Sequence, residues 1–441
     1  MSSSPKQLLS VADGVFLTVG MVIGVGIFKA PSIVAGNTSG TAEFLFAWLL
    51  GGAISLCGAL VYAELSARHP ETGGEYTFLS HGLGRGAAFL FAWSRMTVIQ
   101  TGAIAAVAFV FGEYASEIVS LGQHSVAVYA ALSVLALTLL NLAGTLQSKT
   151  LQKVMEIALI AGLLFLAIAG MVVTSTPKPA APAAGGGDFL FAMMFVFFTF
   201  GGWNEAAYLA GEVREPRRNM LKILIGGIVA VTLLYLLVNI GYLLALGQGG
   251  IAGSRAVGAD VMRLVAGEKG AVVLAFIVCI SALTTINAAV FTGARTNFAM
   301  GRDYPLFAKL GNWRERGSTP ANALVLQGAI ALVLIGAAAL TAKDGFDAMV
   351  AYTAPVFWTF FLLTGITLFV FRLEKKAVDG FKVPFHPVIP LIFCAMCGFM
   401  LWKALAYVFN PQYGPKFGNL VLAGLLVMLA GIPLYWIARK K

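Results

Sequence analysis

Two glycine pairs carry the first chemistry that this chain suggests. Gly24-Val25-Gly26 lies inside an apolar run from about residue 11 to 35, and Gly201-Gly202 lies inside another from about 188 to 211. Glycine is a poor helix former and frees the backbone to leave helical geometry. A helix broken in mid-run exposes two backbone ends. The outer half starts with free N–H groups, a positive end that suits a carboxylate. The inner half stops with free carbonyls, which suit an ammonium group or a metal ion. At the first break the donors fall near Val25 and Gly26, and the acceptors near Met21, Val22 and Ile23. The second break adds carbonyls around Phe198, Thr199 and Phe200. Such donors and acceptors match an α-amino acid zwitterion.

The elements that must position these breaks are membrane helices. The 441 residues are 59% hydrophobic and 11% charged, with a mean hydropathy of +0.85; soluble domains carry about 25% charged residues. About twelve apolar runs fall near residues 11–35, 44–67, 87–118, 125–143, 150–174, 188–211, 219–246, 269–295, 320–341, 346–371, 386–406 and 417–438. Unwound backbone at membrane depth is tolerated only inside protein or beside a water-filled cavity. Each break lies about 13 residues into its run, from opposite sides, hence about 20 Å deep at 1.5 Å per residue. A matched pair of broken spans points to a secondary transporter with a midplane site.

The odd spacing of five runs between the breaks inverts the second copy. We therefore expect one transporter domain over 1–441, with inverted repeats at 11–174 and 188–371 and two additional helices at 386–438. The Pro-, Ala- and Gly-rich stretch 175–187 reads as a linker between the repeats. The stretches 247–267 and 295–317 are long enough to cover the site from either side. Of the 30 Lys and Arg residues, about 21 lie in segments that are inner if the N-terminus is inner, and about six in outer ones. This asymmetry puts both termini in the cytoplasm and makes nucleic acid an unnecessary explanation for the +10 charge. Residues 1–10 do not read as a cleaved signal.

Ionisable groups within the runs are functional candidates. Lys29, one turn beyond the first break, is expected to snorkel outward, and Glu113 to be a solvated or capping group. Arg95 and Glu156 are expected to pair with each other, as a structural ion pair or an inner gate. Cys57, Cys279, Cys394 and Cys397 all fall in apolar runs. The Cys394-x-x-Cys397 spacing therefore reads as two small buried hydrophobes rather than a redox or metal motif. The loop 120–125 has no cysteine, so no disulfide-linked heavy chain is expected. The four histidines are too scattered for a metal site, no catalytic set stands out, and no cofactor is expected.

Several motifs resemble the amino acid–polyamine–organocation superfamily, and within it the L-amino acid transporter-like permeases. Val22-Ile23-Gly24-Val25-Gly26-Ile27-Phe28 is similar to the family's first-span motif. Tyr62-Ala63-Glu64-Leu65 with Pro70-Glu71-Thr72-Gly73-Gly74-Glu75-Tyr76 is similar to its second span and first inner loop. Phe198 to Asn204, then Gly211-Glu212-Val213-Arg214-Glu215-Pro216-Arg217-Arg218-Asn219, resembles its sixth span and following loop, and Asn287 to Arg295 the end of its eighth. The resemblance implies an all-α membrane protein with the five-plus-five inverted-repeat (LeuT-like) fold, unwound first and sixth helices and alternating access. It implies a substrate carboxylate at the amides of Val25 and Gly26, an ammonium group at carbonyls of Val22 and the Phe198 region, and Phe198 as an aromatic gate. Three positions depart from the pattern. Val25 stands where relatives carry a small hydroxyl residue or alanine, Leu159 where many carry lysine, and Asn204 where cationic antiporters carry an acid.

The side-chain pocket is expected from Gln100, Gly201, Asn204, Ser281, Tyr352 and Trp358, with Trp358 either closing the pocket or facing lipid. Thr284 and Thr285 are candidate Na⁺ ligands, or bond back to their own helix. The expected function is exchange or uptake of neutral L-amino acids across a bacterial inner membrane, with amino acid and lipid as partners. The alternative is a carrier of cationic amino acids or polyamines that uses Glu205 as counter-charge. A sensor or channel on a transporter fold is a third reading.

Overall fold

The computed structural model describes residues 9–70, 73–144, 149–173, 187–314, 319–342, 344–374, 380–406, 408–409 and 414–439. The linker 175–186 lies outside them, as do Glu71, Thr72 and Lys343. The described residues form helices and no strand beyond two isolated bridges. In order these are α1 (Val11–Val22), α2 (Gly26–Gly36), α3 (Thr41–Arg68), α4 (Gly74–Gly82), α5 (Arg85–Ser94), α6 (Gln100–Ile118), α7 (Ser125–Ala143) and α8 (Lys149–Val172). They continue with α9 (Phe189–Phe200), α10 (Pro216–Ala252), α11 (Val257–Asp303), α12 (Ala321–Thr341), α13 (Gly345–Leu373), α14 (Val388–Ala406) and α15 (Gly414–Ala438).

Among the described residues, ten helices are long and apolar enough to cross a membrane, and the bent pair α1–α2 makes an eleventh if counted as one span. Within α8, described residues Glu156–Val172 form a shorter apolar helix. The protein is thus a multi-pass membrane protein. Both broken runs start from a side-chain cap. Ser10 and Asp13 form a capping box on α1, and Asp188 accepts the amides of Leu190 and Phe191 at α9; such caps satisfy donors that the helix leaves free. A π-turn at Arg95–Ile99 joins α5 to α6. The extra residue that a π-turn inserts rotates the helix beyond it, and Arg95 here is buried.

Leu9 bridges to Val213, and Ala438 clusters with Phe89, Ala92 and Met300 beside Tyr76 of α4. Both ends of the described chain therefore share one side, the terminal side. Lys29 lies beyond the first break, on the opposite or distal side. Residues 247–267 form short helical stretches bounded by left-handed Gly247 and Gly267. On the terminal side α11 runs on to Asp303 and is followed by a 3₁₀ turn at Pro305–Gly311.

Candidate substrate site at the paired helix breaks

Both breaks fall where the glycines lie. α1 ends as Ile23 turns extended (ψ 94°), and α2 restarts at Gly26 with a 54° bend. Val25 caps α2 with no side-chain bond to its first amides. The N–H groups at that start have no acceptor within the helix by construction, and the helix dipole makes the end positive. A β-carbon at Gly24 would meet nothing within 4 Å, so the break borders open space. Gly26 instead packs on Thr199, which ties the start of α2 to α9.

The second break also falls at a glycine pair. α9 stops at Phe200, Gly201 turns extended (ψ 153°), and Gly202 is left-handed (φ +105°). A β-carbon at Gly202 would overlap the carbonyl oxygen of Met21 and lie 3.5 Å from the Val22 Cα. The two breaks therefore touch. Beyond Gly202 the chain forms a 3₁₀ helix, Trp203–Glu212, rather than the α-helix expected from the run.

A residue absent from the sequence reasoning joins the breaks. The Tyr235 hydroxyl of α10 lies 3.0 Å from the Val22 carbonyl and 3.1 Å from the Thr199 carbonyl. Its signal was available, because a tyrosine in an apolar span needs a partner for its hydroxyl. Tyr235→Phe removes a bond worth about 1 kcal/mol, equivalent to about fivefold in the population of the joined arrangement. We expect slower transport with little change in expression, measured as initial rates in proteoliposomes. Of the backbone groups expected to meet an ammonium group, the Val22 carbonyl already faces this hydroxyl, which leaves it one lone pair.

The remaining candidates separate into three groups. Phe198 is half-buried and stands edge-on to Phe346 at the start of α13 (5.4 Å, 89°). Thr199 bonds back to Phe195 O, and Phe200 is buried against Trp48 and Tyr235. Phe200 thus turns its ring toward α3 and α10. Trp358 is buried against Phe197 and does not face lipid. Gln100 donates to Ala289 O and so fastens α6 to α11. Tyr352 donates to Thr97 O in the π-turn. Ser281 is buried on α11, where its carbonyl accepts the Thr285 hydroxyl; Thr284 likewise bonds back to Ile280. Both threonine protons are thus spent on their own helix.

Asn204 belongs to a buried network on the terminal side. Its amide donates to Glu75 Oε1 at 2.6 Å, and Tyr62 donates to the same oxygen at 3.1 Å. Burial, then the charge of Glu205, raises the Glu75 carboxyl above its ordinary range. Arg95 pairs with Glu205 at 2.9 Å, bonds the Tyr208 hydroxyl at 3.1 Å and lies over the Tyr208 ring. This corrects the expected Arg95–Glu156 pair. Glu156 instead lies on α1, its carboxyl carbon 2.6 Å from where a β-carbon on Gly20 would be. The 3₁₀ helix that follows the second break brings Glu205 to Arg95. On the distal side Lys29 does not snorkel, and Glu113 is not a solvated cap. Lys29 is buried and pairs with Glu113 at 2.6 Å and Asp344 at 2.8 Å. Carboxylates on two neighbouring helices hold the ammonium group inside. Cys394 and Cys397 are free thiols on α14.

Residues 9–432 match the amino acid permease family. The chain is 29% identical to the b(0,+)-type amino acid transporter 1 of Mus musculus over 89% of this chain and 82% of that protein. It is 25% identical to the serine/threonine exchanger SteT of Bacillus subtilis over 99% of this chain and 98% of that one. It is 27% identical to the large neutral amino acids transporter small subunit 2 of Homo sapiens over 98% of this chain and 80% of that protein. A bundle of apolar helices broken twice at contacting glycines, with a match over nearly all its length, means that the chain belongs to the amino acid permease family of the amino acid–polyamine–organocation superfamily.

Proposed function

We propose that this permease exchanges neutral L-amino acids by alternating access. The carrying observation is the contact of the two breaks, Gly202 on Met21, beside the uncapped start of α2. In this reading the amides near Val25 and Gly26 take the substrate carboxylate. The carbonyls of Val22 and of the Phe198–Phe200 end of α9 take its ammonium group. Gly24 and Gly201 leave room for it, and Phe198 closes over it with Phe346. Segments 11–174 and 188–371 act as inverted repeats, and 386–438 as additional helices. Both termini are cytoplasmic, so the Arg95 network closes the inner side and Lys29 the outer.

A neutral substrate is favoured because the acid nearest the second break is already spoken for. Glu205 is paired with Arg95, and Asn204 is uncharged. A free carboxylate for a second substrate cation is what the cationic reading needs. Similarity to a serine/threonine exchanger and to a large neutral amino acids transporter subunit supports this reading, while the b(0,+)-type relative keeps the cationic one as the competitor.

The test is counterflow in proteoliposomes preloaded with mixed unlabelled amino acids, with a labelled panel outside and no ion gradient. Transient accumulation of serine, threonine or a larger neutral amino acid is expected. Accumulation of only arginine, lysine or a polyamine would overturn the neutral assignment, and Glu205→Gln would then abolish it. Conducted single-channel current without counterflow would overturn exchange itself.

A further inference from the structure

The last helix is built into the bundle rather than appended to it. Gly424 of α15 lies so close to α13 that a β-carbon there would overlap the Tyr352 carbonyl oxygen. Two turns on, a β-carbon at Gly431 would overlap the Trp93 ring of α5. The indole N–H of Trp93 donates to Val427 O of α15 at 2.7 Å. From α13, the Tyr352 hydroxyl donates to Thr97 O at 3.2 Å. A small apolar core of its own joins Phe91, Val98, Tyr352, Val356, Phe360 and Met428. Within it the Phe91 and Phe360 rings stand edge-on at 5.2 Å.

These contacts converge on one short segment. Trp93 stands two residues before Arg95, and Thr97 two residues after it. Arg95 opens the π-turn Arg95–Ile99. A π-turn is a rare single-turn insertion in an α-helix. Its return to α-helical register would turn one side of the helix by about 100° relative to the other, since an α-helix has 3.6 residues per turn. Contacts outside the helix must therefore hold it. Here one donor binds α15 directly, and the other comes from the part of α13 that α15 packs against. The backbone is thus fastened on both sides of Arg95, while the Arg95 side chain reaches Glu205 and Tyr208 of the 3₁₀ helix.

We propose that α15 is a positioning helix for the terminal-side closure: with α13 it clamps the backbone on either side of Arg95 and so holds the guanidinium group against Glu205. The proposal rests on the transport reading above. It gives the last helix, outside both proposed repeats, a part in alternating access. A loosened clamp shifts the balance toward arrangements in which the Arg95–Glu205 pair is broken and the terminal side is open. Trp93, Tyr352 and Gly424 act through Arg95.

The test reads access to the break and needs no knowledge of the substrate. Cys57, Cys279, Cys394 and Cys397 are replaced by alanine, and a cysteine is introduced at Gly24, where a side chain meets open space. A membrane-impermeant methanethiosulfonate is applied to the terminal side of the full chain in proteoliposomes, and initial labelling rates are compared. Tyr352→Phe and Trp93→Phe each remove one donor, and Gly424→Ala pushes α15 off α13 without touching α5. Each should label about fivefold faster than the parent, the weight of one hydrogen bond in an equilibrium. Arg95→Met should label at least as fast. Adding any of the three changes to it should alter the rate less than about twofold, because changes that act through one pair do not add. Glu205→Gln provides a second background if Arg95→Met does not fold. Tyr129→Phe removes a tyrosine bond to Val119 O at the distal end of α6 and should label like the parent. Rates unchanged by the three variants, or effects that add in full to those of Arg95→Met and Glu205→Gln, would overturn the clamp while leaving transport standing. Absence of labelling from the terminal side in every variant would mean that the break never opens there, which overturns the transport reading and the clamp with it.

Discussion

Gly202→Ala is expected to lower amino acid transport by about a hundredfold, the effect of an ~1 Å misplacement in a positioned site. Two costs act together. The residue is left-handed at φ +105°, a region that side chains other than glycine rarely adopt. Its new methyl group would also overlap the Met21 carbonyl, which belongs to backbone and cannot rotate aside. The breaks must then separate, and the Tyr235 hydroxyl can no longer reach both Val22 and Thr199. Gly336→Ala on α12 is the matched control, because its β-carbon enters open space away from the breaks. Counterflow rates of the two variants at equal protein density make the comparison. Equal loss in both would mean that contact between the breaks is not what matters.

Arg95→Met should lower stability by about 3 kcal/mol, the low end for breaking a buried pair, because a third of the Glu205 side chain remains exposed. It leaves Glu205 without its cation and takes a compensating charge away from the neighbourhood of Glu75. The apparent melting temperature in detergent should fall by several degrees. Adding Glu205→Gln to Arg95→Met should recover part of the loss, since the uncompensated charge causes most of it. Under the proposed alternating access, the same double variant should weaken closure on the terminal side, read as faster labelling from that side of a cysteine introduced at Gly24. An unchanged melting temperature in Arg95→Met would mean that the pair contributes nothing net.

The twofold break was legible because it depends on local properties. Glycine frees the backbone wherever it stands. Gly24, Gly26, Gly201 and Gly202 therefore appear in the structure where their spacing puts them. The 3₁₀ helix after Gly202, in place of the expected α-helix, was not legible. It accompanies contacts of Asn204 with α4 and of Glu205 with the π-turn, and neither partner is near in sequence.

The charged residues show the same division more plainly. Hydropathy places Lys29, Arg95, Glu113 and Glu205 in apolar runs, where each requires a partner. It does not say which one. Lys29 meets Asp344 across more than three hundred residues, and Arg95 meets Glu205 across more than one hundred. Periodicity cannot see which acid Arg95 faces at the start of a π-turn, or a tyrosine that spans two breaks from a third helix. Composition, hydropathy and glycine placement are enough to make this a membrane protein with two broken spans. The contacts of α2 with α6 and α13, and of the 3₁₀ helix with α4, select which charges pair. Ion pairing depends on distances of a few Å between helices, and those distances exist only once the helices have packed.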